Sequence, residues 1–260
     1  MFNHAIDDGV LAANLATRVG RFNKKPAERR QDINPFSREE LKLFLDSARQ
    51  HFPRHHPFFL TLARTGVRLG EALTLQWGDI DWHGGFLEVR RTYCRISKQV
   101  LTPKSGKTRR VDMSRQLTET LKALLVERKK ETLLKGWGEV PLWVFVTETG
   151  TRLDGDHVRN RAFYTLLKKA GLRHIRLHDL RHTFASLLIQ QGAPLAYVKE
   201  QMGHHSIQVT VDIYGHLVPG GNRAEVDRLD DPQESVPEAT SRNLSATTPY
   251  DPVVRGQLSA

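Results

Sequence analysis

Three short runs with strand character, FLEVRRTY (86–93), KQVLT (98–102) and TRRVDM (108–113), stand together in the middle of the chain. They are bounded by the turn-forming stretches DWHGG and PKSGK. Strands this short and this close in sequence make a small antiparallel meander rather than a large sheet, so the rest of the core has to come from helices. The expected fold class is therefore α+β, mainly α: a helical bundle with a small three-stranded antiparallel sheet. A later apolar run, LWVFVT (142–147), reads as a short buried strand or extended segment.

The helical segments carry their own punctuation. In FSREELKLFLDSA, Ser37 is placed to cap the helix and Glu40 follows three residues on, a capping box, with Phe36 positioned to staple the entry. Leu41, Phe44, Leu45 and Ala48 then line one face. HPFFLTLARTG is a second helix ended by Gly66, and VRLGEALTLQW a short third. SRQLTETLKALLVERKKETLL is a long amphipathic helix with apolar positions Leu117, Leu121, Leu124 and Leu125. Four further helical segments are expected near 154–170, 178–191, 194–202 and 206–214, each bounded by Gly, Pro or Ser. Before this body, residues 1–17 read as a short helix and 18–35 as a polar, basic linker with two prolines; after it, 220–260 is rich in Pro, Ser and Thr and is expected to be disordered.

Charge points to the partner. The 260 residues carry a formal net charge of +10, and the final forty, with seven acids and four basic residues, are net acidic. The positive charge thus belongs to the folded part, which suggests a polyanion, nucleic acid before acidic membrane. One cysteine, Cys94, excludes an intramolecular disulfide and fits a reducing cytoplasm. It lies in strand-like sequence and reads as a half-buried thiol. No apolar run approaches a membrane span, and MFNHAIDDGV lacks the pattern of a signal peptide.

The segment LRHIRLHDLRHTFASLL (172–188) concentrates cationic and titratable side chains beside an apolar run. His178 and Arg181, three apart, share a helical face, while Leu180, Phe184, Leu187 and Leu188 lie mainly on another. TGVRLGEAL places Arg68 at a helix start after a glycine turn, and TPKSGKTRR places Lys104 in a tight hairpin. MGHHSIQVTVDIYGH places His204 directly after Gly203 and Tyr214 ten residues later. Guanidinium groups match phosphate oxygens as planar forks, and a tyrosine phenol is a competent covalent nucleophile at phosphorus.

In order, Arg, Lys, His-x-x-Arg, His, Tyr resembles the pattern of the tyrosine recombinases, the phage integrase family. The resemblance runs from about Ser37 to Val218 and includes the contexts TGVRLGE, LHDLRHTFAS and GHHSIQVTVDIYGH. It implies the tyrosine-recombinase catalytic fold over 36–219 and a site-specific recombination or integration reaction of a mobile element. Tyr214 would attack a DNA phosphate to give a 3′-phosphotyrosine and release a 5′-hydroxyl. Arg68 and Arg181 would hold the non-bridging oxygens, Lys104 would protonate the leaving oxygen, His178 would act in proton transfer at the tyrosine, and His204 would hydrogen-bond the phosphate. Neither metal nor cofactor is implied. The partners implied are double-stranded DNA attachment sites, a homo-tetramer assembled on them, and accessory DNA-bending proteins.

Several residues have competing or plainer readings. Lys98 and Lys107 compete with Lys104, and His205 with His204. Glu71 reads as support for the Arg68 helix, and Asp179 as a helix N-terminal carboxylate. His182 and His216 read as structural or DNA-facing, while Tyr93, Tyr164, Tyr197 and Tyr250 read as packing or surface residues. HFPRHH reads as a solvated loop rather than a metal site. The runs RFNKKPAERR, VRRTYCR and KSGKTRR read as phosphate contacts. Family members also carry a helical DNA-clamping domain before the catalytic one. FNHAIDDGVLAANLA resembles only the last helix of that domain, so an N-terminally truncated recombinase is expected. The alternatives are a non-catalytic DNA-binding remnant or interfering protein, and a relaxing enzyme of the topoisomerase IB kind.

Overall fold

The computed structural model describes residues 33–102 and 108–218, with isolated positions Ile6, Asp8–Val10, Ala12, Ala13 and Val226. The helix expected over 1–17, the linker over 18–35 and the tail over 220–260 lie almost wholly outside the described residues. Residue contacts divide the chain into Met1–Pro219 and Gly220–Ala260, and the fold below is that of the first unit.

Helix α1 (Arg38–His51) begins as its sequence requires. The Ser37 side chain accepts from the Glu40 N–H, and the Glu40 carboxylate accepts from the Ser37 N–H at 2.8 Å. Phe36, ahead of the cap, is buried and packs on Phe44. Helix α2 (His56–Thr65) is buried on almost every side and ends at Gly66, whose φ of 61° is left-handed. Helix α3 is short, Leu69–Leu73, with Arg68 at its N-cap.

The β-region follows. Strands β1 (Ile80–Asp81), β2 (Phe86–Val89) and β5 (Arg109–Asp112) form one antiparallel sheet in the order β1-β2-β5, with Leu87 opposite Val111 and Ile80 opposite Leu87. Strands β3 (Thr92–Cys94) and β4 (Gln99–Leu101) form a separate two-stranded ribbon. The three-stranded sheet is thus present, but its members differ from the expected ones. FLEVRRTY breaks into two strands of different sheets, KQVLT leaves with the second, and the third strand is Ile80–Asp81, whose Asp81 had been assigned to a turn. The exposure of β4 on both faces explains its departure: nothing along it is buried, so no core draws it into the main sheet.

Helix α4 (Arg115–Lys135) caps on Ser114 and buries Leu117, Leu121 and Leu124. The extended 142–147 segment buries Val144, Phe145 and Val146 and bridges to Gln76 and Arg152. A continuous helical stretch then runs as α5 (Gly155–His157), a π-helical turn (Val158–Phe163) and α6 (Tyr164–Lys169). Helices α7 (Asp179–Gln190), α8 (Leu195–Met202) and α9 (Ile207–Tyr214) complete the body.

Two buried apolar clusters hold these elements. The larger is built on aromatic packing: Phe44 meets Phe59 and Phe163 edge-on, with ring centroids at 5.4 and 5.6 Å. The smaller, Ala185, Ile189, Val198, Met202 and Tyr214, lies between α7, α8 and α9. Tyr214, the tyrosine singled out by sequence, is a core member of that cluster.

Candidate functional site

Three helix termini converge on Arg181. It projects from α7, and its guanidinium donates to the carbonyls of Gly66, at the end of α2, and Met202, at the end of α8. Both helices present the negative end of their dipole there, a fitting place for a buried cation. Burial, and then the charge of Arg68, works against the positive charge of Arg181 and lowers its pKa. A site that crowds cations this closely gains from an arriving anion.

The two glycines at these termini have reasons to be glycine. Gly66 and Gly203 have φ of 61° and 63°. A Cβ on Gly66 would stand 2.4 Å from Phe184 Cδ1, and one on Gly203 would stand 2.8 Å from Arg109 Cδ. The backbone passes close to Phe184 at Gly66 and to Arg109 at Gly203, in a left-handed conformation that glycine takes most readily.

Arg68 is the accessible guanidinium, with its side chain 45% exposed. Its Nη1 donates to Glu71 Oε1 at 2.9 Å and its Nη2 to the Gly203 carbonyl at 3.4 Å. Glu71 accepts from the Arg68 N–H as well, and takes a bidentate pair from Arg109 at 3.0 and 2.7 Å. Burial alone would raise this carboxyl, but the Arg109 and Arg68 contacts bring it down to about 2. Glu71 is thus the buried counter-charge that fixes two arginines. Arg109 escaped the sequence reading because it sits in the run KSGKTRR. Its side chain turns inward, also donating to the Gln201 carbonyl, whereas Arg110 faces outward over the Phe86 ring. The alternation along β5 carried that signal, with the site on one face and solvent on the other.

His204 follows Gly203 and is half-buried, its Nδ1 2.9 Å from Thr210 Oγ1; His205 is exposed. Burial, then Arg181 and Arg68, pushes the His204 pKa down to about 3. A neutral imidazole whose Nδ1 accepts from Thr210 presents its Nε2 hydrogen as a donor.

His178 precedes α7 and lines a cavity of about 290 Å³ with Arg159, Tyr164, Arg176, Arg181 and Leu177. Part of His178 faces water, yet partial desolvation and then Arg181 pull its pKa below the ordinary value. The π-helical turn between α5 and α6 contributes Arg159, and such turns recur where a side chain has to be re-aimed. Tyr164, read from sequence as a packing or surface residue, stacks on His174 and also borders this cavity.

Tyr214 ends α9 with its side chain fully buried. Its hydroxyl lies 2.7 Å from His182 Nδ1. Burial raises the phenol well above its usual range, and Arg181 partly offsets this. The structure therefore brings Arg68, His178, Arg181, His204 and Tyr214 to the region where α2, α7, α8 and α9 meet. Lys104 and Lys107 lie outside the described residues, and Lys98 is exposed in the turn joining β3 and β4, at φ 53°.

The arginines of VRRTYCR are engaged in ion pairs: Arg90 with Glu88, Arg91 with Asp79 at 2.7 Å, and Arg95 with Asp156 at 3.1 Å. Their charge is partly neutralised at home. Asp179 takes the role expected of it, accepting from the Arg176 N–H at 2.8 Å at the start of α7. Among the described residues, no group of three His, Cys, Asp or Glu is arranged to hold a metal ion, and no helix is long and apolar enough to cross a membrane.

Comparison with known proteins finds recombinases and integrases. A tyrosine recombinase XerC-like protein of Caldanaerobacter subterraneus subsp. tengcongensis is 32% identical, over 88% of this chain and 63% of that protein. The ICEBs1 integrase of Bacillus subtilis is 32% identical, over 89% of this chain and 62% of that protein. The chain thus spans a little under two thirds of these relatives. Among solved structures, a XerA recombinase shares 26% identity and a TM-score of 0.57 over 75% of this chain and 63% of that one. A Tn1549 transposon integrase in complex with circular intermediate DNA shares the fold, with a TM-score of 0.65 at 20% identity, over 88% of this chain and 76% of that one. Residues 35–219 match the phage integrase family, and the chain belongs to it.

Proposed function

We propose that this chain is the catalytic part of a site-specific DNA recombinase that breaks and rejoins strands through a 3′-phosphotyrosine at Tyr214. The observation that carries the reading is the convergence of Arg68 and Arg181 on one helix end, at the Gly203 and Met202 carbonyls, with His204 next in the chain. An incoming phosphodiester would exchange these carbonyl contacts for charge-assisted bonds to its non-bridging oxygens. The two guanidiniums would then oppose the negative charge that develops in the transition state. Lys104, on the segment between β4 and β5, is assigned the protonation of the leaving 5′-oxygen, and His204 a hydrogen bond to the phosphate. Because the phosphodiester energy is kept in the tyrosyl ester, a 5′-hydroxyl of a second strand can attack it and complete the exchange.

The relatives named as recombinases and integrases, and the neighbour solved on DNA, support double-stranded attachment sites as the substrate. A homo-tetramer on DNA, accessory bending proteins and a cytoplasmic location belong to the same proposal. The second reading, a DNA-binding remnant without catalysis, is favoured by one feature: Tyr214 is fully buried. A nicked suicide duplex drawn from the DNA flanking the gene separates the two. A protease-sensitive covalent adduct, absent in Tyr214→Phe, supports the recombinase. DNA retention at low salt with no adduct supports the remnant.

A further inference from the structure

We propose that Arg159 and Arg176 hold the phosphate next to the scissile one on the same DNA strand, so that the protein grips two consecutive phosphodiesters; this rests on the recombinase reading. The place for it is the cavity of about 290 Å³ beside His178 and Arg181. A volume of roughly 10–15 Å³ already admits a water, so this one has room for a whole phosphate group. Arg181 is part of its wall, and Arg181 is one of the two guanidiniums assigned to the scissile phosphate. What fills the cavity is therefore the immediate neighbour of the reacting group along the strand.

The wall selects an anion. It carries three guanidiniums, the His178 ring, the Tyr164 side chain and four aliphatic residues. Among these described residues none is acidic and none is an amide. A base edge turned into the cavity would present N–H groups as well as acceptors, and only the Tyr164 hydroxyl and a ring nitrogen of His178 could receive them. A phosphate presents acceptors alone, which the arginines satisfy. The carboxylates that hold these arginines stand behind the wall. Arg159 Nη1 donates to Asp156 at 2.7 Å and Arg176 Nη2 to Asp179 at 2.8 Å, yet neither acid lines the cavity. Each carboxylate thus fixes its guanidinium without setting a negative charge in the path of the anion.

The backbone under Arg159 is firmly anchored. It stands in the π-helical turn, whose Val158, Ala162 and Phe163 are buried in the larger apolar cluster. Asp156 is shared, because Arg95, in the turn after β3, approaches it at 3.1 Å. Two cations meet one carboxylate there, so the local balance stays positive. Arg161, two residues on in the same π-helical turn, is exposed and takes no part in the wall. The arrangement therefore singles out Arg159 rather than the basic character of the turn. Arg159 comes from that turn, Arg176 from the segment before α7 and Arg181 from α7 itself. Two phosphates held from three backbone segments leave the strand little freedom to rotate about the scissile group. Arg159 and Arg176 are accordingly positioning residues, and the roles assigned above to the other side chains are unchanged.

The test is a cycle between protein and substrate. The scissile phosphate is first located as the site of the covalent adduct on the nicked duplex. Dissociation constants are then measured for the full chain carrying Tyr214→Phe, so that binding alone is read. The duplexes are unmodified, or carry one uncharged methylphosphonate at the first phosphate on the 5′ or the 3′ side of the scissile one. Arg159→Gln should weaken binding to the unmodified duplex about tenfold, and the methylphosphonate at one of the two positions should weaken the parent by a similar factor. On that modified duplex the variant should bind as well as the parent, because the contact is already lost. Arg176→Gln should show the same coupling at the same position. Arg161→Gln removes an equal charge outside the cavity and should lose one constant factor on every duplex. Thermal melts confirm folding, and Arg159→Gln, whose Asp156 keeps Arg95 as a partner, decides the subsite. Loss of one constant factor by Arg159→Gln on all three duplexes, or equal coupling by Arg161→Gln, overturns the assignment while leaving the recombinase reading intact. No adduct from wild type refutes that reading and this inference with it.

Discussion

Replacing Glu71 with glutamine is the sharpest perturbation of the arginine cluster, because it removes the one buried charge that two guanidiniums share. The carboxyl falls from an ordinary 4.5 to about 2 in the folded protein. A depression of that size corresponds to about 3 kcal/mol of stability at pH 7. Because the folded pKa is the lower one, this stability is fully present above about pH 5 and is lost as pH falls toward 2. At pH 3 the wild type should already have lost about 2 kcal/mol of it. Glu71→Gln, which leaves Arg109 only 15% exposed and without its anion, should unfold about 3 kcal/mol more easily in urea at pH 7. The gap between variant and wild type should shrink to about 1 kcal/mol at pH 3, since the wild-type carboxyl is then losing its own advantage. A gap below about 1 kcal/mol at pH 7, or one that does not narrow on acidification, would refute the account of Glu71 as the cluster's anchor.

Other outcomes follow from the same geometry. Gly66→Ala forces an alanine into a left-handed turn with its Cβ 2.4 Å from Phe184 Cδ1, and should cost about 3 kcal/mol in a urea melt. Arg181→Lys keeps the charge but cannot span the Gly66 and Met202 carbonyls while presenting a fork; adduct formation should fall at least about 100-fold with DNA retention largely kept. Retention of duplex on a filter should drop steeply between 50 and 200 mM salt, roughly in proportion to the number of phosphates neutralised. A flat salt response would contradict a backbone-dominated interface.

The sequence made local structure plain where short-range chemistry decides it. Ser37 with Glu40, and Gly66, mark helix ends by contacts made within three or four residues, and each acts where it was placed. Arg68, His178, Arg181, His204 and Tyr214, singled out by the motifs they stand in, come together at the ends of α2, α7, α8 and α9. What stayed hidden depends on partners distant in sequence. Strand β1 is two residues long and exists only because β2 lies beside it. Arg109 looks like its exposed neighbours until Glu71, 38 residues earlier, draws it inward. His182, which reads as structural or DNA-facing, is fixed by Tyr214, 32 residues later, packed against it. The ion pairs of Arg90, Arg91 and Arg95 are invisible for the same reason.

The central claim is that Tyr214 becomes esterified to DNA, and the direct measurement is the identity of the linked residue. Full-length protein would be trapped on the nicked duplex, digested with nuclease and trypsin, and the nucleotide-bearing peptide sequenced by mass spectrometry. The account predicts a single modified peptide with a 3′-phosphonucleotide on the Tyr214 phenol. A nucleotide on any other side chain, or DNA held without any covalent link, would contradict it.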